Sequence, residues 1–497
     1  MPLRLHNTLT RSLDPLVPLE ATRDGDPGSL TGPVRIYACG PTIYDHAHIG
    51  NFRSFVAYDL LHRYLEWSGY PVRFVMNVTD IDDKTIDAAV REGVTLRQYT
   101  EPFGRAVAAD ARTLGILPAD ANPRATDYVP QMVRFVEGLV SKGVAYLSDD
   151  GSVYFSIAAF PGYGKLSGMD PGQVMPGARV AVDEYTKEDA RDFVLWKAAK
   201  EKDEQAQAAW DSPWGRGRPG WHLECSVMSL AELGETLDIH LGGEDLVFPH
   251  HEDEIAQSEA ATGKPFVRCW LHVKHLLLEG RKMSKSLGNT VTVRELLERG
   301  YEPAAIRHQL LSAQYRRELN FTLDGLDASA RAVQRLLDFE ARLTETVPDT
   351  DAVELGLAGL ADGALEAFQA AMDDDLNSAD GLAAVFVFLN EVNAALDREP
   401  GRARPDELDA ALAALRSMDR VLGLIETAKA ARVVDADTEA WVESRIEARR
   451  QARSDRDFRR ADAIRDELLA RGIVLEDTPG GTRWKVVPVT PQEAAST

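Results

Sequence analysis

The stretch Ile36-Tyr-Ala-Cys-Gly-Pro-Thr-Ile-Tyr-Asp-His-Ala-His-Ile-Gly-Asn-Phe-Arg53 sets several distinct chemical demands inside one turn of the chain. Val34 to Tyr37 reads as a short strand, and Gly40-Pro41 halts it where the backbone must turn. Cys39 stands just before that halt. His48-Ile49-Gly50-Asn51 then leads into Phe52, Val56 and Leu60, an apolar ridge at i+4 spacing that predicts a helix starting near Asn51. His48, Gly50 and Asn51 therefore fall at a helix N-terminus, where unpaired N–H groups and the macrodipole favour an anion such as phosphate. Taken alone, the stretch is equally consistent with a plain strand-turn-helix holding a buried cysteine and a packing glycine.

Outward from it, Ser68-Gly69 closes the helix and Val72 to Val78 reads as the next buried strand. Strand, helix, strand is the opening of a nucleotide-binding α/β sheet, in which ligands lie beyond the carboxyl ends of the strands. Thr79-Asp80-Ile81-Asp82-Asp83-Lys84 follows at such an end. Residues 1–33 read as a peripheral lead-in with a turn-rich loop at Asp24–Gly28. From about Val107 to Pro219 the pattern is that of an insertion. It has a helix over Val129–Lys142 closed by Gly143, a hairpin of Tyr146-Leu147 with Val153–Phe155, and a strand-like run at Asp192–Lys197. The α/β pattern resumes at Trp221, with a strand at Leu237–Leu241 ending in Gly242-Gly243. A helix is predicted from Phe248, with Pro249 in its first turn.

Phe266 to Leu278 is strand-rich and ends in the cationic loop Glu279–Asn289. Beyond Val291 the composition is helical to about Ile425, interrupted by Asp373-Asp374-Asp375-Leu376-Asn377. A basic helix over Arg445–Arg471 and two short strands about Pro479-Gly480-Gly481 follow, and the tail after Pro488 reads as disordered.

A chain of 497 residues predicts two to four domains. The formal charge of -23 argues against non-specific attraction to nucleic acid while leaving room for a local basic face. Three cysteines, far apart and odd in number, predict reduced thiols in a cytoplasm. No apolar run reads as a membrane span, and the first residues lack a signal-peptide core.

Two constellations carry chemistry. His250 and Glu254 lie one helical turn apart, so both project from one face. With Cys39 and Cys225 at the same edge of the inferred sheet they form a thiolate, thiolate, imidazole and carboxylate set that suits zinc, as a staple or as a working ion. His48 to Asn51, with Lys282 and Lys285 on the cationic loop, suits attack on the α-phosphate of ATP, where charge moves onto leaving pyrophosphate. A solvated lysine turn is the plain alternative for the loop.

The chain resembles the cysteinyl-tRNA synthetases of bacteria, class I aminoacyl-tRNA synthetases, over nearly its full length. The resemblance is carried by Cys39–Asp45 with His48–Asn51, Asn77–Lys84, Gly220–Ser226, Phe248–Glu254 and Lys282–Asn289, together with two C-terminal motifs. It implies a Rossmann-type α/β catalytic domain (1–106 and 220–290) with an inserted α+β connective domain (107–219). A stem-contact region (291–330), an α-helical bundle (331–430) and a small α/β anticodon-binding module (431–497) follow. It further implies one Zn2+ per chain on Cys39, Cys225, His250 and Glu254, accepting the substrate thiolate, and Mg2+ with ATP. His48, Gly50, Asn51, Lys282 and Lys285 serve the nucleotide, and Thr79, Trp221 and Asp245 neighbour bound L-cysteine. Asn51 departs from the commonest first motif, which ends in His; Asn can still donate to phosphate. The resemblance also implies tRNA(Cys) as partner, with phosphate contacts from the Arg445–Arg471 region and stacking on Trp484. It leans towards a cytoplasmic monomer without a membrane partner. His46, His222 and His251 are expected near the metal ligands, and Cys269 is expected in the core. The rival readings are a ligase passing cysteine to a small amine, as in mycothiol synthesis, and an inactive zinc-containing RNA-binding protein.

Overall fold

The computed structural model describes residues 3–20, 30–169, 192–283, 288–432, 436–455, 457–469, 471, 473–478 and 481–486. The Asp24–Gly28 loop, Lys285, the tail after Pro488 and the Trp484 side chain lie outside what is described.

The chain starts with an antiparallel hairpin, β1 (Arg4–Asn7) and β2 (Ser12–Pro15). This corrects the expected peripheral lead-in. Leu3, Leu5 and Leu16 are buried, and Asn7 accepts from Trp270 N (3.1 Å) and donates to Arg268 O (2.9 Å). Two leucines between charged neighbours give too short an alternation to announce a strand that docks on a sheet edge.

The first part of the main sheet and its helices run β3 (Val34–Ala38), α1 (Ile49–Trp67), β4 (Val72–Met76), α2 (Asp83–Glu92) and α3 (Leu96–Thr113). The helix starts at Ile49 because His48 caps it. Asn51 N donates to His48 Nδ1 (3.3 Å), and His48 N donates to Asn51 Oδ1 (3.0 Å), a reciprocal box that satisfies two otherwise orphaned N–H groups. Ser68 caps the far end, and Gly69 follows with φ +86, in the left-handed region.

The chain between α3 and the rest of the main sheet carries α4 (Val129–Ser141), β5 (Ala145–Leu147), β6 (Val153–Phe155), β7 (Phe193–Ala198), α5 (Glu201–Gln205) and β8 (Gly217–Pro219). Its strands form an antiparallel sheet in the order β5-β6-β7-β8. The main sheet is then completed by α6 (Trp221–Leu233), β9 (Leu237–Gly243), α7 (Glu252–Thr262) and β10 (Val267–Val273). The order is β10-β9-β3-β4, all parallel. Chain direction across the sheet reverses between β3 and β9, and a crevice opens there at the carboxyl ends. The helix expected from Phe248 begins at Glu252 instead. Phe248 is extended (φ -141°, ψ 130°), the Phe248-Pro249 peptide is cis, and residues 247–251 form an irregular turn.

A small sheet follows, ordered β12-β11-β13, from β11 (Leu276–Leu278), β12 (Arg281–Lys282) and β13 (Leu319–Phe321), with α8 (Val293–Glu298) and α9 (Pro303–Leu311) between the last two. The helical region holds α10 (Leu323–Glu345), β14 (Val347–Pro348), α11 (Leu357–Asp373), α12 (Ser378–Leu396), β15 (Arg402–Ala403), α13 (Pro405–Leu422) and α14 (Leu424–Arg432). Against the expectation of no such run, α12 alone among the described residues is long and apolar enough to cross a membrane. Here it packs on α11 and α13. The predicted basic helix is two, α15 (Ala436–Ser454) and α16 (Phe458–Leu469), followed by the antiparallel pair β16 (Ile473–Thr478) and β17 (Gly481–Val486). Val442, Ile464, Leu468 and Ile473 give these elements a small core of their own.

Helix α1 is buried along most of its length, including Arg53, Asp59 and Arg63. Asp59 takes a hydrogen bond from Arg63 Nε (2.9 Å), another from Arg307 of α9, and a third from Leu117 N (2.8 Å). The two guanidiniums also reach Leu114 O, Gly115 O, Arg420 O and Leu422 O, joining α1 to the end of α3 and to the bundle. Burial raises the Asp59 carboxyl, but Arg307 and Arg63 outweigh it and hold the group below its ordinary range. Its contribution is therefore complete above the unfolded value, about 3.9, and lost as pH falls through the lower folded value. Asp59→Asn leaves the buried Arg307 without its ion-pair partner and Arg63 with only the exposed Glu426 (3.7 Å), and should lower the unfolding free energy by about 3 kcal/mol at pH 7. Urea denaturation measures this, and the gap to the unaltered protein should narrow as pH falls below about 3.9.

A candidate metal centre and a helix N-terminus at one cavity

Cys39 follows β3 directly, and its N–H donates to Leu241 O of β9 (3.0 Å), which fixes the sulfur at the crevice. The turn after it is tight. A Cβ on Gly40 would stand 1.7 Å from Asn77 O, so only glycine fits. Cys225 comes from the second turn of α6, His250 from the irregular turn, and Glu254 from the start of α7. Their donor atoms all lie within 4.8 Å of one another, and all four residues are buried. The two sulfurs are 3.6 Å apart, and His250 Nε2 is 3.0 Å from Glu254 Oε1. Two thiolates on one tetrahedral ion with bonds of about 2.3 Å stand about 3.8 Å apart, so the set fits a metal ion with little adjustment.

Partners outside the set aim these groups. His250 turns Nδ1 to His222 Nδ1 (2.9 Å), leaving Nε2 for the cluster. Glu254 Oε2 is held by His240 Nε2 (2.8 Å), leaving Oε1. Such outer contacts fix tautomer and orientation. Burial raises Cys225, yet hydrogen bonds from Cys39 and His250 bring it down to about 6. Burial and the neighbouring Cys225 push Cys39 the other way, so one of the two thiols ionises readily. For Glu254, burial is overcome by His240 and His250, to about 2; for His250, burial is overcome by Glu254 and Cys225, to about 10. The chemistry is that of a buried anionic pocket suited to a cation.

A second donor set shares Cys39 and Glu254 but uses His240 and His251. His251 Nε2 lies 3.3 Å from Cys39 Sγ, its Nδ1 2.8 Å from His272 Nε2, and His272 Nδ1 2.7 Å from Thr8 Oγ1. Burial drives His251 well below its ordinary value and His272 to about 3, so both are neutral rings. His222 and His251 thus touch ligand residues as expected. His46 does not; it is exposed and packs edge-on against Phe103. His240 and His272 escape sequence reading, although a histidine inside a mostly buried strand is the signal they leave. Cys269 is buried in the core as expected.

Cys39, Cys225 and His250 form part of the wall of a cavity of about 450 Å3. Thr79, Trp221, Asp245, His48, Gly50, Asn51 and Lys282 line the same cavity, whereas Glu254 lies behind its wall. Trp221 stacks on the His250 ring (centroids 4.2 Å, 23°) and is partly exposed. Thr79 Oγ1 donates to Glu224 Oε2 (2.9 Å) and accepts from Asn77 Nδ2 (3.2 Å). Because His48 Nδ1 accepts from Asn51 N, the proton of the neutral ring resides on Nε2. Asn51 turns its oxygen to the His48 backbone, leaving its amide N–H groups as donors. Gly50 faces the cationic loop, where an added Cβ would meet Met283 Cε at 2.7 Å.

Residues 29–331 match the family described as tRNA synthetases class I (C) catalytic domain, residues 367–426 a DALR domain, and residues 435–484 the cysteinyl-tRNA ligase anticodon binding domain. The cysteine–tRNA ligase of Solibacter usitatus is 48% identical over 98% of this chain and 100% of its own length. That of Koribacter versatilis is 44% identical over the same shares. Among solved structures, Mycobacterium tuberculosis methionyl-tRNA synthetase with methionyl-adenylate aligns at TM-score 0.58 and 17% identity, over 80% of this chain and 92% of that one, a likeness of fold. With its Rossmann-type sheet, helical region and C-terminal module each matched, the chain belongs to the cysteine–tRNA ligase family of class I aminoacyl-tRNA synthetases.

Proposed function

We propose that this chain activates L-cysteine with ATP, forming cysteinyl-adenylate and pyrophosphate, and transfers the cysteinyl group to the 3′ end of tRNA(Cys). The observation that carries the reading is one cavity shared by the two-cysteine cluster and the His48-capped N-terminus of α1. The first suits a thiol, and the second suits a phosphate. The cysteine carboxylate attacks the α-phosphate, and the bond from that phosphorus to pyrophosphate breaks. Donors from His48 Nε2–H and Asn51, with cations from Lys282 and Lys285, stabilise the charge that develops on the phosphates. Gly50 keeps the backbone open to the nucleotide. Thr79, Trp221 and Asp245 surround the amino acid.

Cys39, Cys225, His250 and Glu254 would hold one Zn2+, and Mg2+ would accompany ATP. Bound there, zinc supplies a soft centre that prefers sulfur to a hydroxyl, so cysteine is separated from serine at the binding step without editing. We assign 1–106 and 220–290 to the catalytic domain, 107–219 to the connective insert, 291–330 to stem contact, 331–430 to the bundle and 431–497 to the anticodon module. The chain is assigned as a cytoplasmic monomer.

Labelled cysteine with ATP should be transferred to unfractionated bacterial tRNA and not to a glucosamine-inositol acceptor; transfer to the amine alone would overturn the tRNA assignment. Cys225→Ala removes a ligand outright and should lower cysteine-dependent pyrophosphate exchange by at least ~100-fold, beyond the loss typical of outer-shell changes. Zinc content should fall with it. Normal exchange with an intact preference for cysteine over serine would sink the thiolate mechanism.

A further inference from the structure

The break between α11 and α12 is a strained one: Asp375 (φ 63) and Leu376 (φ 53) are consecutive non-glycine residues in the left-handed region. The Asp375 side chain is buried, and its hydrogen bonds come from outside the bundle. Oδ1 accepts from Tyr315 Oη (2.6 Å) and His6 N (2.7 Å). Oδ2 accepts from Arg316 Nε (2.5 Å) and Gln314 Nε2 (3.1 Å), and Gln314 Nε2 also reaches the Asp375 carbonyl (3.0 Å).

The same short segment is also gripped by Arg53, two residues beyond Asn51 on α1. Its buried guanidinium donates to the carbonyls of Leu310, Ala313 (3.0 Å), Gln314 (2.8 Å) and Arg317 (3.4 Å). Burial lowers that guanidinium to about 10, still fully charged at neutral pH. Residues 310–317 are therefore clasped between a buried cation on α1 and a buried anion in the bundle. From this clasp the chain runs directly into β13, which pairs in parallel with β11. The other edge of β11 carries β12, Arg281-Lys282, the start of the cationic loop. Lys274 N, just before β11, donates to Tyr315 O (2.8 Å). Both ends of the nucleotide site, the α1 N-terminus and Lys282, are thus referenced to one segment.

We propose that Asp375 is a positioning residue for adenylate formation: from the bundle it fixes residues 314–316 and, through β13 and β11, the placement of Lys282 against the N-terminus of α1. Arg53 is its counterpart on α1. Small displacements of a catalytic group by distant residues cost rate rather than affinity for a substrate bound elsewhere. The metal cluster and Trp221, which hold the amino acid, lie outside the clasp.

The inference rests on the proposed activity, and the two fail differently. Failure of the unaltered zinc-loaded chain to exchange pyrophosphate with cysteine defeats that reading itself. Given exchange, Asp375→Asn should lower kcat on the order of tenfold with KM for cysteine unchanged within about twofold. Arg53→Lys should give the same split. The double variant should be no slower than the slower single one, because both act through one segment. Unchanged kcat in the folded single variants, or losses that multiply in the double, would overturn the proposal. Should Asp375→Asn fail to fold, Tyr315→Phe removes one hydrogen bond from the same carboxylate. It should lower kcat about threefold at constant KM, and wild-type kcat there would overturn the proposal equally.

Discussion

The constraint on which the catalytic half depends is the burial of acidic donors at the carboxyl edge of a parallel sheet. Cys39 comes from the turn that follows β3, Cys225 from α6 and Glu254 from α7, and all are shielded from water. Assembling them desolvates groups that each carry, or can carry, negative charge, a cost of several kcal/mol per ion unless a cation offsets it. His250 supplies one positive partner and is itself shifted upward by the cluster. A divalent ion would supply a stronger one, and the spacing of the sulfurs suits it. The neighbouring strand order follows from this need, since β3 and β9 must be adjacent for Cys39 to lie beside the turn that carries His250.

Helix α1 is the beam between that sheet and everything C-terminal to it. It presents His48 and Asn51 to the cavity at one end and Arg53, Asp59 and Arg63 to the bundle side along its length. A purely apolar helix would pack against the sheet as well, but it could slide or rotate between similar apolar surfaces. Directional contacts from Arg53 to residues 310–317, and from Asp59 to Arg307, select one register. The bundle is therefore joined to the nucleotide end of the cavity by hydrogen-bonded charge as well as by hydrophobic contact.

How much of this is legible in the sequence depends on how local each cause is. The helix N-terminus at His48 is readable because capping is a matter of four consecutive residues. The four residues of the cluster are readable together, because His250 and Glu254 stand four apart and Cys39 and Cys225 fall at one edge of the inferred sheet; the distances among their donor atoms are tertiary. The start of α7 is misjudged because Pro249 fits a first helical turn as well as the extended turn that the chain adopts. The hairpin at Arg4–Pro15 is missed because its stability comes from β10, over 250 residues away. His240 and His272 are missed for the same reason: a strand pattern shows burial, not which neighbour a buried histidine meets. The basic run after Arg445 reads as one helix because the break near Asp457 carries no glycine or proline.

That basic run also shows why a chain with net charge -23 is compatible with a polyanionic partner. Its arginines stand among acids: Arg445 near Glu467 (3.5 Å), Arg450 with Glu447 (2.8 Å), Arg465 between Asp462 and Asp466 (both 3.5 Å). Arg471 and Arg445 flank the Trp441 ring at 4.1 and 5.6 Å. The Arg450 and Glu447 pair is an exposed i,i+3 salt bridge on α15. Exposed pairs of this kind are worth about 0–1 kcal/mol each, so a phosphate can displace the carboxylate at little cost. The displaced acid still repels the backbone, so the net gain per contact is small and non-specific adhesion is weak. Affinity must then come from many correctly placed contacts at once, which favours one shape of nucleic acid over the bulk of it.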